Sequence, residues 1–140
     1  MSRAYLCVSV ATVSDRQRGG EPREPLSFAG VTTGVVRRIH PLFERFGARP
    51  TYLLSADVLR SPSGIEAFRN VLPGAELGTH LDLETSSERA ALTEVTDLFI
   101  RAFDHQPQSF RAGPAGLGPA SLGLLESLGV PGPAPSSRCP

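Results

Sequence analysis

The feature that most constrains this chain is a fourfold alternation of short apolar runs with longer amphipathic ones. The short runs are typical of buried parallel strands, and they predict strands at residues 4–10, 50–55, 75–81 and 109–113. Apolar positions at three- and four-residue steps predict helices at residues 30–46, 61–72, 87–103 and 117–128, with a kink or break at Pro41. Strand–helix repeats in this order predict parallel strands joined by right-handed crossovers, which is an α/β architecture.

Chain length bears on whether such a fold is complete or partial. The 140 residues fall well short of the roughly 250 that a closed barrel of eight β–α units needs. About four β–α units therefore predict either a partial (β/α) barrel or an open doubly wound sheet, and the pattern alone does not separate the two. We assign residues 1–130 to this domain, and the proline-rich residues 131–140 predict a disordered tail.

Charge and cysteine content restrict the expected partners and compartment. The 14 basic and 14 acidic residues give zero net charge, so we expect no nucleic-acid partner, since phosphate binding needs a positive surplus. No apolar run approaches the roughly 20 residues of a membrane span, so we expect no membrane partner. Cys7 and Cys139 form no disulfide framework, which favours the cytoplasm. Arg3 and the apolar run after it leave a short signal sequence as the alternative.

The most chemically suggestive cluster follows the third predicted strand. Side chains alternate along an extended segment, so His80, Asp82 and Glu84 would project to the same face. All three are residue types that bind divalent metals, and the carboxyl ends of parallel strands are where α/β enzymes place their sites. An imidazole with carboxylates suits zinc, iron or manganese better than calcium. The alternative is a solvated loop that caps the next helix.

Three further residues follow other predicted strands. Arg111 lies at the end of the fourth strand and could orient a carboxylate or bind an oxyanion, or it could form a salt bridge at the rim. Asp15 and Asp57 follow the first and second strands and could face the same rim. Each aspartate could equally be an ordinary loop or helix-capping residue.

Three segments together resemble the polysaccharide deacetylase family in order and spacing. They are FERFGARPTYLLSADVL (residues 43–59), AELGTHLDLE (residues 75–84) and SFRAGPAGLGPASLGLLESLGV (residues 109–130). The subgroup they resemble most is that of bacterial sugar-deacetylase-like proteins with an ELGTH-type motif. The resemblance implies a (β/α) barrel that removes acetyl groups from acetylated sugars. It also implies a divalent metal, with zinc as the first choice, that activates water beside a carboxylate general base.

The first motif of that family is altered in this chain. Its two acidic positions fall on Ala11 and Val13, neither of which can act as a base or a ligand. Asp15 is the residue that could stand in as the base. Loss of a general base typically lowers a rate by about 10²–10⁴-fold. Since the later family motifs also have no counterpart before residue 140, the resemblance implies a truncated, catalytically impaired relative.

The second and third motifs are better preserved. His80 matches a metal ligand, Asp82 stands where the subgroup has its second histidine, and Glu84 matches an acidic residue of the subgroup. Arg111 matches the arginine of the third motif. We therefore expect weak binding of a divalent metal or an acetylated glycan. Two alternatives remain open: a hydrolase rearranged around Asp15 in a homodimer that completes the barrel, and a non-enzymatic interaction module that keeps only the scaffold.

Overall fold

A parallel sheet organises the fold. The computed structural model describes residues 6–15, 25–81, 88–112 and 119–130. Within these ranges the sheet has the order β1-β2-β3-β4, with strands Ser9–Thr12, Thr51–Leu54, Glu76–Leu81 and Phe110–Ala112. The sheet curls into a half-barrel, which confirms the predicted α/β class and partial barrel. The sequential strand order also favours the barrel over a doubly wound sheet, whose order reverses at a switch point.

Helices follow each strand in the described part of the chain. They are a π-helix at Gly30–Ile39, α1 at His40–Arg45, α2 at Ala56–Arg60, α3 at Pro62–Arg69, α4 at Glu88–Phe103 and α5 at Pro119–Ser127, with a 3₁₀ turn at Leu72–Gly74. The predicted start of α3 is confirmed, because the Ser61 hydroxyl caps it by accepting the Gly64 N–H at 3.2 Å. The short helix α2 was not predicted, since five residues are too few to show helical periodicity.

The main core lies between the sheet and its helices. Tyr52 and Leu54 of β2 and Leu77 of β3 are almost fully buried against Phe68 of α3 and Phe99 of α4. Each such side chain contributes about 1.5–3 kcal/mol when it is fully buried. A second cluster joins Leu81 at the end of β3 to α4 and α5. Both clusters lie on the face of the sheet that carries the helices, so the opposite, concave face is the inside of the half-barrel.

The first strand differs from its predicted position. We predicted residues 4–10, whereas β1 spans Ser9–Thr12, and residues 4 and 5 lie outside the described ranges. The register explains the shift, because Ser9 pairs with Thr51 and Thr12 with Leu54. The position of β1 is therefore set by its pairing with β2 and not by the apolar run at residues 4–10.

The segment around Pro41 changes from one helix type to another. The π-helix ends at Ile39 and α1 begins at His40, with Pro41 in its first turn. The predicted break is therefore confirmed, although the π form of the first half was not predicted. Gly47 has φ 65° just after α1, which is the left-handed conformation typical of a glycine that ends a helix. Residues 131–140, the predicted tail, lie outside the described ranges.

Candidate functional site

Asp57 links the carboxyl ends of β1 and β2. One carboxylate oxygen accepts the backbone N–H of Ser14 at 2.7 Å. The other oxygen accepts the Ser55 hydroxyl and the Val58 N–H, the latter at 2.9 Å. Since Ser14 follows β1 and Asp57 follows β2, these bonds hold two strand ends together. They are the contacts of a structural carboxylate.

Hydrogen bonding also sets the ionisation of Asp57. Burial by itself would raise the pKa of this carboxyl. The hydrogen bonds from Ser14, Ser55 and Val58 favour the charged form and outweigh burial, so the pKa lies below its ordinary value of 3.8. Asp57 is therefore an anion at neutral pH and a poor general base.

Asp15 occupies the amino end of the π-helix. Its carboxylate accepts the N–H groups of Ala29 at 3.0 Å and Gly30 at 2.9 Å, and the Ser27 hydroxyl at 2.5 Å. Its own N–H donates to the Ser27 carbonyl at 2.7 Å. A negative charge is favourable at this helix end, because the first N–H groups have no partner within the helix. The geometry is that of the capping alternative considered for Asp15.

His80 lies on the concave face of the half-barrel. Side chains alternate along β3, so Glu76, Gly78 and His80 face away from Leu77 and Leu81, which pack under the helices. The Nδ1 atom of His80 is buried, and it has no hydrogen-bond partner among the described residues. A buried nitrogen without a partner costs about 1–3 kcal/mol. His80 is therefore a side chain at the rim whose Nδ1 is not bonded by any residue that the structure describes.

Gly78 allows Ser109, the residue before β4, to pack closely against β3. A Cβ at this position would overlap both the hydroxyl and the carbonyl oxygen of Ser109 and would stand 2.9 Å from its carbonyl carbon. That carbonyl accepts the Thr79 N–H at 2.9 Å and so begins the pairing of β3 with β4. The Ser109 hydroxyl oxygen is buried without a partner among the described residues. The glycine of the ELGTH segment thus has a packing reason that needs no catalytic role.

Arg111 is the neighbour of His80 across the sheet. The two residues are paired in the parallel register of β3 and β4, so their side chains leave the same face. Arg111 is exposed, and His80 is partly buried. This arrangement places a guanidinium beside an imidazole at the carboxyl end of the sheet. An anionic or carbonyl-bearing ligand is the chemistry that such a pair can bind.

The predicted metal site is described only in part. Asp82 and Glu84 lie outside the described ranges, so their distance from His80 is not defined. Within the residues that the structure describes, no three histidine, cysteine, aspartate or glutamate side chains are grouped closely enough to hold a metal ion. The orphaned Nδ1 of His80 is consistent with one imidazole ligand. The described side chains do not complete a metal centre by themselves.

A second polar cluster was not anticipated as a unit. His40 is 4% exposed, and its Nδ1 lies 2.9 Å from the Tyr52 hydroxyl, while its Nε2 lies 3.6 Å from Glu44 Oε1. Burial and the nearby charge of Glu44 raise the pKa of Tyr52 to about 12. Both ring nitrogens of His40 therefore have polar neighbours within the fold. The spacing of four residues between His40 and Glu44 could have indicated from the sequence that these two side chains are neighbours on a helix. The contact of His40 with Tyr52 depends on the fold and has no such local signal.

Comparison of the chain with models of protein families, with curated proteins and with solved structures finds no match. The resemblance to polysaccharide deacetylases therefore stays a prediction from the motifs. The described helices include none that is both long and apolar enough to cross a bilayer. What the fold and the rim define is a parallel α/β half-barrel with His80 and Arg111 at the carboxyl end of its concave face.

Proposed function

We propose that this chain is a polysaccharide-deacetylase-like domain with impaired catalysis and a residual ligand site around His80. The observation that carries the proposal is the His80–Arg111 pair on the concave face, with the His80 Nδ1 unused by the described part of the fold. The ELGTH and FRAG segments of the motif resemblance are the segments that supply these two residues. Cysteine usage favours a cytoplasmic location for this domain.

The proposal of impaired catalysis follows from the carboxylates. Hydrolytic deacetylation needs a base that can accept a proton from water. Asp57 is held as an anion by its hydrogen bonds, and Asp15 is engaged with the amino end of the π-helix. Ala11 and Val13 occupy the positions where the family carries its acids. Asp15 and Asp57 could therefore each act as a base only by giving up structural hydrogen bonds.

The residual site would bind a divalent metal, zinc first, through His80 with Asp82 and Glu84. Arg111 would then hold the carbonyl or carboxylate oxygen of a bound glycan. A metal there would polarise an acetyl carbonyl and lower the pKa of a bound water. His80 and Arg111 would position the ligand even where hydrolysis fails.

The test is the metal content of the purified protein, measured by elemental analysis in parallel for wild type, His80→Ala and His105→Ala. His105 is an exposed histidine, so its variant controls for nonspecific binding. We expect about one zinc, iron, manganese or cobalt per chain in wild type and His105→Ala, and loss of that metal in His80→Ala. Equal metal in all three proteins, or none in any, would refute a metal site at His80.

A second candidate function is a non-enzymatic interaction module, and the open sheet favours it. Within the described strands, β1 and β4 each pair on one side only, and unpaired strand edges are templates for association. The occupant would be a second copy of the chain that completes the barrel. A dimer in light scattering, together with a metal-free wild type, would favour this function over the first. A metal-free monomer would contradict both.

A further inference from the structure

An exposed apolar stripe runs along residues 39–46, from the end of the π-helix to the residue after α1. Ile39, Leu42 and Phe46 are 39%, 51% and 77% exposed. Steps of three and four residues place them on one side of the helix. They are half of the six large hydrophobic side chains that are exposed in the described part of the chain. Exposed apolar side chains that occur singly need no explanation, but a continuous stripe marks an interaction surface.

Four arginines lie in the same stretch of the chain as the stripe. Arg37, Arg38, Arg45 and Arg49 are all exposed, and Glu44 is the one acidic residue between residues 37 and 49. This stretch therefore carries a surplus of three positive charges on a chain whose net charge is zero. Helical spacing places Arg38 and Arg45 beside Leu42, whereas Arg37 lines a depression with Glu66 of α3 and Asn70 at its carboxyl end. The complementary partner is therefore anionic and has an apolar layer within reach.

Glu44 does little to neutralise this surface. Its carboxylate lies 3.6 Å from Nε2 of the buried His40 and the side chain is 62% exposed, but its spacing of two residues from both Leu42 and Phe46 places it off the side of the helix that carries the stripe. The guanidinium carbon of Arg45 lies 5.7 Å from the centre of the Phe46 ring, and the side chain stays exposed. Arg45 and Phe46 can thus act together, with the ring inserted and the guanidinium at the level of a phosphate.

We infer that this surface, formed by Ile39, Leu42 and Phe46 with Arg38, Arg45 and Arg49, docks the domain onto an anionic phospholipid bilayer. The apolar stripe enters the boundary between headgroups and acyl chains, and the arginines contact lipid phosphates. Absence of a membrane-spanning run, the basis of the expectation that no membrane is a partner, does not bear on such peripheral binding. The site is separate from the rim that holds His80 and does not depend on the proposed function.

Vesicle co-sedimentation of the full chain tests the inference. The probes are vesicles of phosphatidylcholine with phosphatidylserine and vesicles of phosphatidylcholine alone, each at low and high salt. The variants are Phe46→Ser and Arg45→Ala, and the matched controls are Leu122→Ser and Arg101→Ala, which change the same kinds of exposed side chain elsewhere. Because Phe46 and Arg45 are exposed, thermal melting should show every variant folded.

We expect wild type to bind the anionic vesicles only, with binding that weakens as salt rises. Arg45→Ala should weaken partition by about fivefold, Phe46→Ser by about tenfold, and the two controls by less than twofold. No binding to anionic vesicles, equal binding to both vesicle types, or equal losses in variants and controls would overturn the inference. A dimer in light scattering that Phe46→Ser disperses, without vesicle binding, would assign the stripe to a second copy instead.

Discussion

Replacement of Gly78 by alanine is the sharpest test of the packing between β3 and β4. The added methyl would overlap the hydroxyl and carbonyl oxygens of Ser109. The hydroxyl can rotate away, but the carbonyl is backbone and is already bonded to the Thr79 N–H at 2.9 Å. The clash can therefore be relieved only by moving β4 away from β3. That movement stretches both the Thr79 bond and the bond from the Gln108 N–H to the Leu77 carbonyl, which is 3.0 Å long.

These contacts set the expected magnitude. Overpacking a well-packed position costs about 1–3 kcal/mol, and two weakened backbone bonds add about 0.5–1.5 kcal/mol each. The better strand propensity of alanine returns about 0.5–1 kcal/mol. The expected net loss is about 1–5.5 kcal/mol of the free energy of unfolding, a large share of the roughly 5–15 kcal/mol of a typical domain.

Urea unfolding followed by circular dichroism measures this loss. With a slope of about 1.5 kcal/mol per molar urea, the midpoint should fall by about 0.7–3.7 M. Gly123→Ala is the matched control, because nothing lies within 4 Å of its added methyl in α5, and it should gain up to about 1 kcal/mol. Ser109→Gly added to Gly78→Ala should recover only part of the loss, since the carbonyl remains. An unchanged midpoint for Gly78→Ala would show that the close approach of the strands is not as described.

Two further predictions concern ionisable groups in the fold. Because the native pKa of Asp57 lies below 3.8, its stabilising contribution is complete above that pH and is lost as the pH falls through the native pKa. Asp57→Asn should therefore lower the free energy of unfolding by about 1–3 kcal/mol at pH 7. It should also flatten the fall in that free energy below about pH 4. Urea unfolding at pH 7 and below pH 4 measures both effects, and equal pH dependence in wild type and variant would contradict this role of Asp57. The pKa of Tyr52 is raised from its ordinary value of 10.0 to about 12, so its stabilising contribution is present below pH 10.0 and is lost as the pH rises from there toward 12. An ultraviolet titration should show one of the two tyrosines ionising late, and Tyr52→Phe should remove that step and destabilise the protein by about 1–3 kcal/mol, since His40 loses its partner.

The elements that were predictable are those with a strong local pattern. α4 begins at Glu88 and ends at Phe103, close to the predicted 87–103, because its buried positions recur at helical spacing over four turns. β3 at Glu76–Leu81 lies within the predicted range 75–81. The position of β1 was missed because β2 sets it through the register. The hydrophobic pattern of the sequence therefore predicts which helices and strands exist. Pairing between distant strands decides where a strand with a weak local pattern, such as β1, begins.

The candidate site was predictable as a location more than as chemistry. The rim at the carboxyl ends of the strands follows from parallel topology, and His80 and Arg111 do lie side by side there. The role of Asp15 was not decided by its sequence position, because the same residue type serves as a base or as a cap. Its three bonds to the start of the π-helix come from residues 12 to 15 positions later in the chain. Only the fold brings those donors to it.

The order of the sheet has a consequence for how the chain is made. Each described strand after β1 pairs with the strand that precedes it in sequence, from β2 to β4. During synthesis from the amino terminus, every new strand therefore meets a partner that has already left the ribosome. After β1, no strand in the described sheet has to wait for a later segment in order to gain its first neighbour. Such a sheet can grow one strand at a time, which shortens the period in which apolar strands are exposed to other chains.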